Sequence, residues 1–598
     1  MMEIMAKVRQ IINLRYMEGD YIKIFGTLVI LLAIPLTVFV TLQSRGLRSK
    51  AAQLLSGALS SQSIVEPGSM VSRANYIVFI DGANYYVKDG KTGAIKFSGT
   101  GDAAPVINWA INDLPSNGGK VVLSEGTFTI TGTGVPEYGT IIPLDNNVTL
   151  EGQGRTTIIK LADKQNQHLE FYMLGAFSKS NCVVRNLVVD GNRDNQGSAP
   201  TDGGHVGIVF NTVTDGLIEN VEVKNINAIR ITDPKIRVYG GNGIDVGAGS
   251  NVIVRNSTIH NIWEHGIAVG AAAKHHIIEN NVLYDIGMPP PGLAETGGKG
   301  IMVQQGDYIV IANNIVYDLN DDDGIQLRMA RYSTVVGNYA TGDSGIAIIT
   351  EAGDTIEAVG NTISGNTTGG FRKNNTVGYV GIALTRGGGG TGSAIHDNTI
   401  VGNTIANTFR GGILIEGASN NLVEDNVIYD TDHNSPSGPL PPGWGGAAIF
   451  VLKSGDKVSD GNLIQGNRIW NDPGHYQDFG IWVNTGCSGN VVRNNDISGM
   501  IQATIRNDGM GTIIQNNIGY RTENSGTVTI PIGSTYVDVD HGLATTPTRV
   551  LITSTTNPGG KSYWVSDKNV GVTGTKFRIS LSSAHTASIN FDWQALIE

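Results

Sequence analysis

Short apolar strands that open with Gly-Ile recur along the middle of this chain, and their spacing sets the architecture. The form Gly-Ile-x-(apolar) begins at Gly243, Gly266, Gly300, Gly324, Gly345, Gly381, Gly412 and Gly480, with Gly207-Ile208-Val209-Phe210 and Ala448-Ile449-Phe450-Val451 as near variants. From Gly243 onward the starts follow one another at 21 to 36 residues, the shortest intervals matching one solenoid coil and the longer ones carrying extra loop. A second apolar strand then runs to an Asn, as in Ile277-Ile278-Glu279-Asn280, Leu422-Val423-Glu424-Asp425-Asn426 and Val491-Val492-Arg493-Asn494. A third follows, as in Val282-Leu283-Tyr284, Ile315-Val316-Tyr317 and Val427-Ile428-Tyr429. Three strands per turn predict an all-β, three-sided parallel β-helix. The asparagines fall where each coil bends, because Asn tolerates left-handed backbone angles and its amide can bond its counterpart one coil on. A stacked ladder is therefore expected. Leucine-rich and hexapeptide solenoids would need a Leu period or a strict six-residue repeat, and neither occurs.

The flanks follow other patterns. Residues 1–23 precede an uncharged run, Ile24 to Leu42, long enough to span a bilayer. Lys7, Arg9, Arg15 and Lys23 before it slightly outnumber Arg45, Arg48 and Lys50 after it, favouring an N-in, C-out transmembrane helix. A cleaved signal peptide is the competing reading, against which no small-x-small site follows the run. Residues 43–72 form a linker, with Ala51 to Ser72 rich in Ala, Ser, Gly and Gln. Within residues 73–165, strands at Tyr76–Ile80, Tyr85–Lys88 and Ala94–Phe97, punctuated by Asp81-Gly82 and Asp89-Gly90, predict a β-meander. Next comes the one helical segment, with Asp102 as its cap, Pro105 in its first turn, and Val106, Ala110, Ile111 and Leu114 on one face. The repeats occupy residues 166–522. Over residues 525–598 the pattern changes to about six longer alternating strands, which predict a compact β-sandwich.

Composition narrows this further. Eighty glycines and only 16% charged residues suit a turn-rich β architecture. A net charge of −11 with no basic stripe argues against nucleic acid as a partner. It also means that an acidic polysaccharide would need local Arg or Lys, or a bridging cation. Cys182 and Cys487 lie roughly ten coils apart, on the order of 50 Å, far beyond disulfide reach.

Three stretches together, Asp102 to Ile107, Gly118-Gly119-Lys120-Val121-Val122-Leu123-Ser124-Glu125-Gly126-Thr127-Phe128 and Val148-Thr149-Leu150-Glu151-Gly152-Gln153-Gly154, resemble the N-terminal part of pectin-lyase-like right-handed β-helix proteins. The resemblance extends over about residues 72 to 522. It implies a right-handed helix whose N-terminal end is plugged by the short α-helix. It leaves activity open, since that superfamily includes lyases, hydrolases, epimerases and non-catalytic binders. Polygalacturonases of the superfamily carry Asn-Thr-Asp, Asp-Asp, Gly-His-Gly and Arg-Ile-Lys segments. Here Asn242-Gly243-Ile244-Asp245, Glu264-His265-Gly266 and Asp322-Asp323 are similar, but the last two are exchanged in order and no Arg-Ile-Lys occurs. The Asp-Pro-His signature associated with mannuronan epimerases is also absent. The segment from His541-Gly542-Leu543 onward is similar to small C-terminal modules of secreted β-helix proteins and phage tail spikes, implying glycan binding, assembly or a plain end cap.

Candidate chemistry comes from reading outward positions down the coils. Strand alternation turns the Ile and the last apolar residue inward, leaving the Gly, the x position and residues two to either side outward. The densest polar group is Asp322, Gln326 and Arg328 on one coil, Asp343 on the next, and Arg410 and Glu416 two to three coils on. Asp322 and Asp343 should lie roughly 5 Å apart, with Glu264 roughly 10 Å away. Close carboxylates can share a proton, bind Ca²⁺, or divide acid and base work on a glycosidic bond, while Arg328 could neutralise a uronate. Asp322, Asp343, Glu264 and Arg328 are thus the candidate catalytic residues. Asp245, Gln326, Arg410, Glu416, Phe450 and Trp482 are candidates for substrate binding, the two aromatic rings as a platform for sugars. An Asp before a Gly strand is also a common turn former, and the rings could be covered by a loop. His205 and His265 stand alone and read as structural. Insertions at 287–299, 365–380 and 432–447 all precede Gly-Ile strands and could wall this face.

The expected function is a membrane-anchored, cell-surface β-helix that binds and processes a polysaccharide as a lyase or glycoside hydrolase. Ca²⁺ is the one cofactor suggested, and oligomeric state is not legible. The alternative is a non-catalytic adhesin, glycan-binding protein or structural envelope component.

Overall fold

The computed structural model describes residues 74–597 apart from 137, 166–169, 197–203, 228–240, 289–297, 321, 370–379, 409–410, 432–445, 473–476, 501 and 571–574. The expected transmembrane run Ile24–Leu42 and the linker lie outside the described residues. Among the described residues no helix is long and apolar enough to cross a membrane.

One strand per coil builds a parallel sheet, here called the groove sheet, that runs from Thr140–Pro143 to Ala503–Asn507 and has thirteen strands among the described residues. Its register is unbroken where it matters for the site: Asp245 pairs with Ala268, then follow Met302, Gln326, Ala347, Ala383, Leu414, Phe450 and Trp482. The other two strands of each coil form the remaining walls. They join one sheet because the long strand Leu217–Ile226 pairs with both Ile253–Arg255 and Thr258–Ile262 in the next coil. Inside lies one continuous apolar cluster from Val78 to Tyr520, dominated by Ile, Val and Leu.

The bends are made by residue pairs, with the two properties expected of a single Asn divided between neighbours. The first member takes the left-handed conformation: Asn280, Asn313, Gly337, Gly365, Gly402, Asp425, Gly466, Asn494 and Asn516 all have φ between 53° and 68°. The second buries its side chain in the ladder. Asn281, Asn314, Asn338, Asn366, Asn403, Asn426, Asn467 and Asn495 each pass an amide N–H to the next Oδ1 at 2.8–3.0 Å, and Asn517 ends the ladder on the Val492 carbonyl. A second ladder, Asn361, Asn398, Asn421, Asn462 and Asn490, repeats the device at another corner.

At the N-terminal end, strands Tyr76–Asp81, Asn84–Asp89 and Ile95–Thr100 form an antiparallel meander. The helix Ala104–Asn112 follows and buries Val106, Ile107, Ala110 and Ile111 at the end of the core. Its N-cap is Ala103. Asp102 sits one residue earlier, where its carboxylate accepts the Ala104 amide and both donors of Thr131, tying the helix to the first coils. Cys182 and Cys487 are both buried free thiols, as their separation requires. Burial pushes the Cys182 thiol up to about 12, so it stays unreactive.

Residues beyond Tyr520 leave the solenoid. Glu523–Ile530, Arg549–Ser554 and Ile589–Leu596 make one antiparallel sheet, and Tyr536–Asp540, Tyr563–Val570 and Lys576–Leu581 make another. They share a separate core that includes Ile530, Val539, Phe577, Ile579, Ile589 and Phe591.

Candidate functional site

Which side chains reach the outer surface of the groove sheet is decided at its first residue, the recurring glycine. A Cβ added to Gly300 would lie 2.2 Å from Val316 Cγ1, and one on Gly381 would lie 2.2 Å from Ile405 Cγ2. Gly243, Gly266, Gly412 and Gly480 meet interior side chains in the same way. These glycines therefore face the core, contrary to the simple alternation, because the chain rounds a tight corner against the third wall. The residue just before each glycine is turned onto the outer surface instead. Down successive coils these are Asn242, His265, Lys299, Asp323 and Ser344, all polar, followed by Val380, Gly411, Ala447 and Phe479.

The polar members interlock across coils. Asn242 Oδ1 accepts the His265 amide at 3.2 Å, and His265 Nδ1 accepts the Lys299 amide at 3.2 Å. That bond leaves the imidazole proton on Nε2, 3.7 Å from Glu264 Oε1. Lys299 Nζ meets Asp322 Oδ2 at 2.7 Å. Asp323 accepts the Ser344 amide at 3.1 Å and the Gln326 side-chain amide at 2.8 Å. Burial, and then the nearby Lys299 charge, press the His265 pKa down to about 3, so the ring is neutral. Burial opposes the charge of Lys299, but Asp322 outweighs it and the ammonium pKa is raised. Burial raises the Asp323 carboxyl, and the adjacent charge of Asp322 raises it further. Asp323 is thus a carboxyl biased toward its protonated form beside an ion-paired Asp322.

From Asp323 a groove of about 270 Å³ runs toward the C-terminal coils. Asp323, Asp343 and Ser344 line one end, Ala347, Ala383 and Leu414 the floor, Thr385 and Glu416 an edge, and Phe450 and Leu452 the far end. The face therefore grades from charged, through small and apolar, to aromatic.

The structure redistributes several expected site residues. Asp322 and Asp343 do lie on adjacent coils, the Asp343 amide bonding the Asp322 carbonyl at 2.9 Å, but Asp322 is paired with Lys299 from the preceding coil. Glu264 faces His265. Arg328, expected to neutralise a uronate, is engaged within the protein: its guanidinium clamps Asp354 at 2.7 and 3.0 Å and Glu351 at 2.6 Å, fixing the following turn. Gln326 serves Asp323, and Glu416 accepts from Thr385 Oγ1 at 2.7 Å. Phe450 and Trp482 do stack, with centroids 4.7 Å apart, yet each is only 7% exposed. Arg506 covers the Trp482 ring at 4.2 Å and Asp508 takes its indole N–H, so the open platform is a capped cluster with only Phe450 reaching the groove. Arg410 and most residues of the three insertions lie outside the described residues. Among the described residues no group of three or more His, Cys, Asp or Glu is placed to hold a metal ion.

Asp245, at the polar end, gives a direct pH test. Burial pushes its carboxyl from 3.8 up to about 6, against a hydrogen bond from Asn242 that lowers it. A folded-state pKa above the unfolded one contributes stability that is present below pH 3.8 and lost as pH rises through 6. Above that range the ionised group costs on the order of 3 kcal/mol. Asp245→Asn is therefore expected to raise the melting temperature on the alkaline side of this window and to leave it unchanged on the acid side. An equal shift at both extremes would show that the carboxyl titrates normally.

The stacked parallel coils, the plugged end and the ladders define a right-handed parallel β-helix, and a family model described as "Right handed beta helix region" matches residues 275–383 and 373–497. These findings support a right-handed parallel β-helix architecture of the pectin-lyase-like kind. Among characterised relatives, the mannuronan C5-epimerase AlgE3 of Azotobacter vinelandii is 28% identical over 286 residues, 43% of this chain and 15% of that protein. Mannuronan C5-epimerase AlgE4 of the same organism is 31% identical over 206 residues, 34% of each chain. The matched region spans well under two thirds of either relative. Among solved structures, the Dettilon tailspike protein (gp208) superposes with a TM-score of 0.51 at 17% identity, covering 83% of this chain and 91% of that one, a likeness of fold.

Proposed function

We propose that this chain binds an extended polysaccharide along the groove sheet and cleaves it by proton transfer from Asp323, with Asp343 as the companion carboxylate. The observation that carries this reading is the pair lining one end of the groove: a buried carboxyl biased toward protonation, and a second carboxylate one coil on. A protonated carboxyl can donate to a glycosidic oxygen, and its partner can activate water or attack the sugar directly. The Asp322 charge adds to burial in raising the Asp323 carboxyl, and the Lys299 charge that pairs with Asp322 offsets part of that bias. The apolar floor supplies rings with van der Waals contact, and Glu416 and Thr385 offer hydroxyl partners along the edge. An N-terminal anchor at Ile24–Leu42 would place this activity at a cell surface.

A second reading is favoured by the relatives named as mannuronan C5-epimerases and by Lys299. In it the substrate is a polyuronate, and the reaction removes a proton next to the carboxylate, ending in epimerisation or elimination. The two readings separate in one experiment: the chain is incubated in deuterated water with neutral and uronic-acid polysaccharides, with and without Ca²⁺, and the products are read by NMR. New reducing ends without unsaturation support cleavage by hydrolysis. Unsaturated termini or deuterium at the uronate ring carbon transfer the assignment to the second reading. Unchanged polymers throughout would remove both.

A further inference from the structure

In the C-terminal module, the sheet formed by Tyr536–Asp540, Lys576–Leu581 and Tyr563–Val570 turns Phe577, Ile579 and Leu581 into the core. Its other face is open. Tyr536 and Trp564 both lie opposite Ser580, one on each neighbouring strand, so the two rings straddle the central strand at two strand spacings, about 10 Å. They are 49% and 45% exposed. Between them Ser580 Oγ and Ser566 Oγ stand 2.7 Å apart. The next row across the sheet is Asp538, Arg578 and Asp567. Arg578 is bound to Asp538 at 2.6 and 3.0 Å and lies over the Tyr536 ring at 4.1 Å, which fixes that ring.

Two large aromatic side chains thus stand half in water on one small sheet, one of them held in place by Arg578, and present ring faces on which a partner with an apolar face can stack. The spacing and the chemistry between the rings select that partner. Rings about two strand spacings apart match alternate sugar rings of an extended chain, and hydroxyls and a guanidinium lie where the sugar hydroxyls would point. The charge on the face selects further. Asp538, Asp540 and Asp567 stand against Lys576 and Arg578, and the Arg578 charge is already committed to Asp538. No cationic excess remains to attract a polyuronate.

We infer that this face is a second carbohydrate site, separate from the groove, that takes a neutral extended polysaccharide on Tyr536 and Trp564. The test uses the full chain in native gels containing soluble xylan, galactomannan, mixed-linkage glucan, polygalacturonate or alginate. Retardation by at least one neutral polymer is expected, weakened roughly tenfold or more by Trp564→Ala or Tyr536→Ala and largely kept by Trp564→Phe, with the melting transition unmoved. Turnover in the groove should stay at the parental rate in Tyr536→Ala/Trp564→Ala, which separates failure here from failure of the groove reading. Migration unaffected by every neutral polymer would overturn the inference. So would retardation by the uronates alone, or retardation that survives Tyr536→Ala/Trp564→Ala. Self-association that sedimentation detects in the parent chain and that this double variant abolishes would assign the face to a second copy instead.

Discussion

Asp323→Asn is expected to lower turnover by roughly two to four orders of magnitude on whichever polymer the chain acts upon, the range general acid catalysis supplies. The substitution keeps shape and removes the transferable proton. It also leaves the local hydrogen bonds repairable. The new Oδ1 can still accept the Ser344 amide, and Gln326, whose Oε1 has no hydrogen-bond partner among the described residues, can turn its amide to meet the new N–H. The variant should therefore fold as the parent does, and removing a buried ionisable group should not destabilise it. In the parent chain the raised Asp323 pKa keeps the acid protonated to higher pH than an ordinary carboxyl, so activity should fall as pH rises through that raised value. The variant's residual rate should lack this alkaline limb. Substrate affinity measured without turnover should change little, since the floor and edge of the groove are untouched. A variant with parental turnover, or one that retains the alkaline limb, would place the proton donor elsewhere.

That residue was one position away from where sequence alternation pointed. Period-two reasoning located the x column correctly, because Ala347, Ala383 and Leu414 do floor the groove. It failed at the corner, where the chain passes so close to the third wall that only glycine fits and the facing of the preceding residue reverses. A usable signal was present in the chain: the residue before the glycine is polar on five successive coils from Asn242 to Ser344 and then turns small or apolar from Val380 on. Arg328 shows a different limit. It was expected to neutralise a uronate, but its guanidinium is held by Glu351 and Asp354, which sit in a turn that no strand pattern registers. Trp482 was correctly placed outward, and its covering by Arg506 depends on a pairing between adjacent strands that becomes visible only once the coils are stacked. The three-sided solenoid itself was legible, since strand order, bend residues and apolar alternation all repeat.

The same stacking makes the solenoid depend on its ladders, and Asn403→Ala is expected to cost about 4 kcal/mol. Asn403 Oδ1 accepts from the backbone and side-chain amides of Asn366, and its Nδ2 donates to the carbonyl of Ile363 and to Oδ1 of Asn426. Alanine leaves the Asn366 backbone amide and one Asn366 side-chain N–H buried and unpaired, at 1–3 kcal/mol each before water or relaxation recovers part of it, while the Ile363 carbonyl keeps its place in the strand ladder. Asn426 Oδ1 loses less, because it keeps the Asn403 backbone amide. Asn403→Asp tests whether hydrogen bonding or volume is at stake. It preserves volume, yet turns an acceptor toward the Ile363 carbonyl and the Asn426 oxygen, so when ionised it should cost more than alanine. Because each coil contacts only its neighbours, the loss should be local. Hydrogen exchange should accelerate in the strands Thr362–Ser364, Thr399–Val401 and Leu422–Glu424 while Tyr76–Asp81 and the C-terminal module keep parental protection. Uniform acceleration along the chain would mean that the coils unfold as one cooperative unit. Parental exchange throughout would mean that the ladder is ornamental to stability and that the apolar core alone holds the stack.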